Sequence, residues 1–381
     1  MKRVTTSAKF FRQMKSKMVE KIFNSGRQIP SNSEETFPII NIYRDGLCEL
    51  IDNKWSKTIE FFDVTYQLLP DDAKVDILER YSELLNSFPD DVKVQFSFVN
   101  QKINMNDFKD AITISRKPYL DVRFEHLRKE YSEILRTQFE KGNNSIIKRK
   151  FITFTVTAKT IKEARQKLDQ VEMSTLSNLN RLEVRGYVLN GEERLKLLAS
   201  VFTNSSEKNI KVDWTNNYNP ISDIVPEKLI FQKNYYKTNK SYGKTSYFQI
   251  MSSHLSDKLL VDFLDVDSNI IVNIHIKPVD QNEALKTIRR KVTDIDAMKV
   301  DEQKKANRNF YSEDLIPQSL ISASENSKKL LNKLQKSDEK YFLVTILITN
   351  LADNKADLQI NYDKSNSLAQ RSTNELVELP Y

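Results

Sequence analysis

Two rhythms of apolar residues run along this chain, one helical and one of period two, and their switch points outline its elements. Residues 6–23 place Phe11, Met14, Met18 and Ile22 on one helical face and crowd Lys9, Arg12, Lys15, Lys17 and Lys21 onto the remainder. That spacing predicts a basic amphipathic helix. The polar run NSGRQIPSNSEET, with Pro30 inside it, ends the pattern. From Phe37 the residues alternate: PIINIY, GLCELI and WSKTIEFFDV predict strands, and Asp45-Gly46 between the first two predicts a hairpin. After Pro70 a helix is expected to about Phe88, with Asp71 and Asp72 in its first turn and Val75, Leu78, Tyr81 and Leu85 marking its apolar face. VKVQFSFV reads as a strand, 100–118 as a loop, and 121–141 as a second helix with Phe124, Leu127, Tyr131, Leu135 and Phe139 as its stripe.

SIIKRKFITFTVTA is the next strand. Thr160 caps a helix to about Asn180, and Asn190 opens another that sets Leu195, Leu198 and Phe202 on one side. The Asn- and Ser-rich stretch 203–222 has no period and marks the best internal boundary. Beyond it SYFQIMS, NIIVNIHI and KYFLVTILIT read as strands, separated by helices at about 280–308 and 319–337; a helix over 353–371 and the run ELVEL follow. The strand–helix–strand order predicts an α+β fold: two mixed lobes of antiparallel or mixed sheets faced by helices, preceded by the basic helix. The expected divisions are 1–35 (helix and linker), 36–202 (first lobe), 203–245 (linker leading into a strand) and 246–381 (second lobe). No repeat of fixed period is visible.

Composition narrows the classes. With 39% hydrophobic and 10% aromatic residues over 381 positions, the chain can build real cores. Six glycines argue against Gly-rich phosphate-cradling loops. A surplus of 59 basic over 52 acidic residues, interspersed along the chain, permits contact with nucleic acid or anionic lipid without specifying it. Cys48 is the single cysteine, which excludes an intrachain disulfide and fits a reducing compartment. The longest apolar runs are strand-sized, so neither a membrane span nor a secretory signal is expected.

Several motifs imitate chemistry. Gly243-Lys244-Thr245 ends like a phosphate loop, but Thr238 stands where the earlier glycine is needed, and the following SYFQI reads as a strand where the phosphates need a helix N-terminus. It reads as a basic loop entering a strand. Asp301-Glu302 falls within a helical period, unlike a Walker B pair. Asp265, Asp267 and Asn269 begin like a calcium loop, yet Ile270 and Ile276 take the positions that need Gly and Glu. His126, His254 and His275 are scattered, with no cysteine near any of them. Cys48 reads as a small core residue. No catalytic, cofactor-binding or metal-ligating set can be assembled from these residues. The helix from Ala284 sets Leu285, Ile288, Val292, Ile295 and Met298 in a seam that suits core packing. The candidate contact surface is the N-terminal helix, through Lys9, Phe11, Arg12, Met14, Lys15, Lys17, Met18 and Lys21. It suits an anionic membrane surface, at about 1 kcal/mol per lysine, or a partner groove. A helix packed on its own domain fits the same pattern equally well.

Four long collinear stretches carry a resemblance: YRDGLCELIDNKWSKTIEFFDVTYQLL, LRKEYSEILRTQFEKGNNSIIKRKFITF, the segment from Gln249 to Arg308, and YFLVTILITNLADNKADL. Together they resemble the N-terminal half of the VirB4/TraE-like ATPases of conjugative type IV secretion systems, in the form typical of Gram-positive mobile elements. The resemblance implies a cytoplasmic protein, peripheral on the inner face of the plasma membrane, that docks on type IV secretion membrane components, on its own C-terminal ATPase domain and on other copies of itself. ATP and Mg would belong to a RecA-like domain that these residues do not include, so it implies docking and assembly for DNA transfer without catalysis by this chain. The alternative is a nucleic-acid-binding module that contacts the transferred DNA.

Overall fold

The computed structural model describes residues 36–64, 66, 69–102, 124–141, 146–203, 214, 221–222, 224–239, 241–251, 258–308, 318–336 and 340–380. The basic N-terminal helix, with all eight of its candidate contact residues, and His254 lie outside the described residues. Strands β1 (Ile39–Ile42), β2 (Cys48–Leu50) and β3 (Lys54–Phe61) form a meander. Its first turn falls at the expected Asp45-Gly46. Gly46 has φ 79°, and a Cβ there would meet the Leu189 carbonyl oxygen at 1.9 Å, so only glycine fits. There follow α1 (Asp71–Asn86), β4 (Lys93–Lys102), α2 (Glu125–Lys141), β5 (Ile146–Thr157), α3 (Ile161–Arg181), β6 (Gly186–Val188) and α4 (Gly191–Thr203).

The remainder comprises β7 (Ile230–Gln232), β8 (Tyr235–Lys237), β9 (Tyr242–Gln249), α5 (Lys258–Leu264), β10 (Asn269–Val279), α6 (Gln281–Arg308), α7 (Gln318–Lys336), β11 (Tyr341–Ala352), α8 (Lys355–Arg371) and β12 (Glu375–Glu378). The fold is α+β. The 203–245 stretch expected as a linker holds β7, β8 and the start of β9. Expected and observed helices agree closely at Thr160, whose hydroxyl accepts from the Glu163 N–H, and at Asn190, which exchanges hydrogen bonds with Glu193 as a capping box.

Among the described residues all the strand pairings are antiparallel, and the sheet order reads the same from either end: β1-β2-β3-β5-β4 meets β10-β11-β9-β8-β7, with β6 on β3 and β12 on β9. Each half is a hairpin feeding a split β–α–β arrangement, and the halves join where Val94–Asn100 of β4 pairs with Ile270–Ile276 of β10. The repeat extends to register. Lys57 lies across from Phe154 and Thr58 across from Thr153; Lys244 lies across from Asn350 and Thr245 across from Thr349. Both threonine pairs share a hydrogen bond of 3.0 Å. Helices α3 and α8 repeat each other as well. Thr160 and Asn354 cap their starts through the N–H three residues on, while Glu183 and Thr373, both at φ 59°, close their ends. The N–H of Val184 and of Asn374 returns to the carbonyls of Leu179 and Ala369 in the six-to-one bond of a Schellman cap.

Helices α1 and α3 cover the first half through Leu84, Phe88, Leu168, Val171, Ile152 and Phe154; α5 and α8 cover the second through Phe263, Tyr362, Phe248 and Ile348. Phe98 and Ile274 touch both clusters, so the core is continuous beneath the β4–β10 join. On the opposite face, α4 and the Leu189 segment shield Val99, Phe151, Ile271 and Leu351. The apolar face read on α1 meets the core only in part. Helix α1 buries Leu84 and half-buries Ile77 and Leu85, whereas Val75, Leu78 and Tyr81 face solvent. The apolar residues of α1 form one broad arc around about half the helix, and periodicity alone does not choose which part of it meets the sheet.

Candidate functional site

Helices α1 and α2 carry the most conspicuous unsatisfied surface among the described residues. Leu78 on α1 is 63% exposed and Tyr131 on α2 is 54% exposed, with Val75 and Tyr81 beside the first and Phe124, Leu127 and Ile134 beside the second. The stripe read from the sequence of α2 is therefore real, but its described members point outward. Lone exposed apolar side chains need no explanation, whereas helical rows of them mark contact surfaces. The seam of α6 behaves as expected at Ile288, which is buried, while Met298 at its far end is exposed. Helix α7 packs on α6, with Asp296 accepting from Ser324 and Lys328.

The Gly243-Lys244-Thr245 motif lies inside β9, not in a loop before it. Each residue has a task in the sheet. A Cβ on Gly243 would lie 2.1 Å from the Tyr236 ring, so the glycine leaves room for that tyrosine. Lys244 donates to Glu378 at 2.7 Å, and its ammonium sits 3.5 Å from the centroid of the Tyr362 ring. Thr245 bonds Thr349. Burial, the Glu378 charge and the Glu378 hydrogen bond push the Tyr362 phenol up to about 12. Lys57 holds the matching place in the first half, bonded to Asp169 and Glu172 of α3 at 2.7 Å each. Burial alone lowers the Lys57 pKa, but those two carboxylates outweigh it and raise the pKa.

A second polar cluster lies on the opposite face of the first half. Arg149 grips Glu60 with two bonds of 2.9 and 2.8 Å, and the Tyr187 hydroxyl donates to the same carboxylate at 2.6 Å. Burial raises the Glu60 pKa, but the bonds from Arg149 and Tyr187 prevail and hold it below the ordinary value. Tyr187 is pushed up to about 12 by burial and by Glu60. A depressed carboxyl stabilises the fold above its unfolded pKa of about 4.3, and that contribution is lost as pH falls through the lower folded value. Glu60→Gln is expected to cost about 1–3 kcal/mol at neutral pH, to flatten the acid limb of the stability curve, and to bring the Tyr187 phenol down from about 12. Urea unfolding across pH and phenolate absorbance check the three effects.

The other singled-out residues have ordinary settings. Cys48 is buried in β2, and burial pushes its thiol pKa up. His126 is exposed on α2. His275 is half-buried on β10, where burial holds its pKa below the usual value. Asp265 pairs with Lys148. Among the described residues no group of His, Cys, Asp and Glu is arranged to hold a metal ion, and no helix is long and apolar enough to cross a membrane. Sequence reasoning missed Arg194, whose guanidinium lies buried beneath β2 and β3. It donates to the Gly46 carbonyl at 2.8 Å, to the Ser56 carbonyl at 2.6 Å and to the Ser56 hydroxyl at 2.6 Å. Burial holds its pKa below the ordinary arginine value. No protein-family model matches the chain, and no curated protein matches it.

Proposed function

We propose that this chain is a docking and assembly module of a VirB4-like conjugation ATPase, tying the motor to the membrane-bound type IV secretion channel from the inner face of the plasma membrane. The observation that carries the reading is the pair of outward apolar rows on α1 and α2. The collinear sequence resemblance supplies the partners: the channel's membrane components, the C-terminal ATPase domain and further copies of the chain. The basic N-terminal residues from Lys9 to Lys21 add attraction to anionic lipid. On this reading the chain alone does not turn over ATP; hydrolysis that survives rigorous removal of contaminating ATPases counts against it.

Leu78→Glu combined with Tyr131→Glu puts two charges into the rows without touching the core. Co-purification with the co-expressed membrane components and ATPase domain is expected to drop at least about tenfold, the equivalent of 1.4 kcal/mol, while the thermal midpoint stays near that of the unaltered chain. Undiminished co-purification sinks the assignment of these rows. A second reading, contact with transferred DNA, draws on the half-open face at the β4–β10 join, where exposed Lys93 and Lys277 flank Gln95 and His275. Affinity for single-stranded DNA that falls steeply with salt favours it.

A further inference from the structure

We propose that the second half encloses a buried polar slot between β9, β11 and α8, bounded by Asn350, Ser246 and Ser365, and that an ordered water molecule occupies it. This inference stands apart from the docking role and rests on the internal repeat.

The matched positions of the first half supply the contrast. Where Phe154 faces Lys57 across the ladder, Asn350 faces Lys244. Two residues beyond each lysine, Ile59 gives way to Ser246. Eleven residues beyond each helix cap, Val171 gives way to Ser365; eight beyond, Leu168 gives way to the larger Tyr362. Asn350, Ser246 and Ser365 are as inaccessible to solvent as the apolar residues they stand in for. Three sizeable side chains are thus exchanged for shorter polar ones at a site that stays sealed.

The polar groups there are not all used. Ser365 Oγ bonds Asn350 Oδ1 at 2.8 Å, yet Asn350 Nδ2 and Ser246 Oγ have no hydrogen-bond partner among the described residues. Whichever way the Asn350 amide is turned, one of its two polar atoms is left over. Buried groups of this kind are almost always satisfied, by protein or by water. Ser246 lies across from Ile348, so it and Asn350 are diagonal neighbours on one face, about 7–8 Å apart along the backbone. A bridging water closes such a gap with one hydrogen bond to each.

Charge selects the guest. Glu378 already neutralises Lys244, and the Tyr362 ring covers the ammonium, so the slot offers no surplus charge to an anion. An amide donor and a hydroxyl that both donates and accepts are the partners a buried water takes.

The experiment uses the full chain. A high-resolution crystal structure is expected to show density within about 3.2 Å of both Ser246 Oγ and the Asn350 amide; a direct Ser246–Asn350 hydrogen bond with no density between them overturns the proposal. Ser246→Val then restores most of the shape of the matched Ile59. If a water is displaced, the unfolding midpoint stays within about 3 °C of the unaltered chain or rises, and the density vanishes. A larger fall means that the site was already full and overpacked by the valine, which also overturns it.

Discussion

Arg194→Ala is expected to lower the unfolding free energy by about 3–5 kcal/mol, measured as a fall in the urea midpoint at unchanged slope. The side chain ties α4 to the β1–β2 turn and to β3, through the Gly46 and Ser56 carbonyls and the Ser56 hydroxyl. Truncation strands these acceptors beneath a helix and leaves a void near Cys48. The partners are neutral, and this makes a sharper test available. Arg194→Met removes the charge but fills most of the space, and strands no carboxylate, so it is expected to cost only about 1–3 kcal/mol. Arg194→Lys is expected to fall between the two, because a single ammonium cannot reproduce the planar fork that spans the β1–β2 turn and β3. Equal losses for methionine and alanine would show that the hydrogen bonds, not the packing, account for the effect.

The contrast between Arg194 and its neighbours shows what the sequence made legible. The helix of Arg194 was readable from Asn190 and from Leu195, Leu198 and Phe202, since caps and apolar spacing are local signals. Where its guanidinium goes depends on strands some 140 positions earlier, and no local pattern encodes that. Lys57 was more accessible. In WSKTIEFF it shares a face with Trp55 and Ile59, and a charge at an inward position calls for an acid; Asp169 and Glu172, three apart on the next helix face, are the answer. Alternation also placed β1 to β5 and β9 to β12 near their observed positions, but β6, β7 and β8, three residues each, went unread because so short a run shows no period. It could not show that the lobes share one sheet, because β4 and β10 read as ordinary strands wherever they pair.

The internal repeat was hidden for a related reason. Lys57 and Lys244 stand 187 positions apart, but Thr153 and Thr349 stand 196 apart and Thr160 and Asn354 194 apart. Insertions between the strands, one described helix in the first half and two in the second, destroy any fixed period. Only the ladder registers recover the match. The recovered match changes the meaning of Gly243-Lys244-Thr245, because Ser56-Lys57-Thr58 does the same work in the first half with no glycine at all. The likeness to a phosphate loop is therefore a by-product of a repeated strand lock: a buried lysine held by acids, followed by a threonine on the other face of the sheet, bonded across the ladder.

That lock predicts a thermodynamic cycle. Glu378→Ala is expected to destabilise the chain by about 2–4 kcal/mol, because it leaves the Lys244 ammonium, 6% exposed, without its counter-charge. Lys244→Met places a thioether against the Tyr362 ring, a contact that sulfur tolerates well. The double variant Lys244→Met with Glu378→Ala should therefore recover most of the loss, so that the two changes are strongly non-additive. The same cycle reads out in alkali. A phenol raised to about 12 stabilises the fold fully below its unfolded value of about 10, and that contribution disappears as pH climbs from about 10 to 12. Removing Glu378 takes away two of the causes that raise Tyr362 and leaves burial and the Asp363 and Glu375 charges, so its phenol should titrate below about 12 and the alkaline loss of stability should shrink. If the single and double variants are equally unstable, Lys244 contributes by packing alone and the ion-pair account of the lock fails.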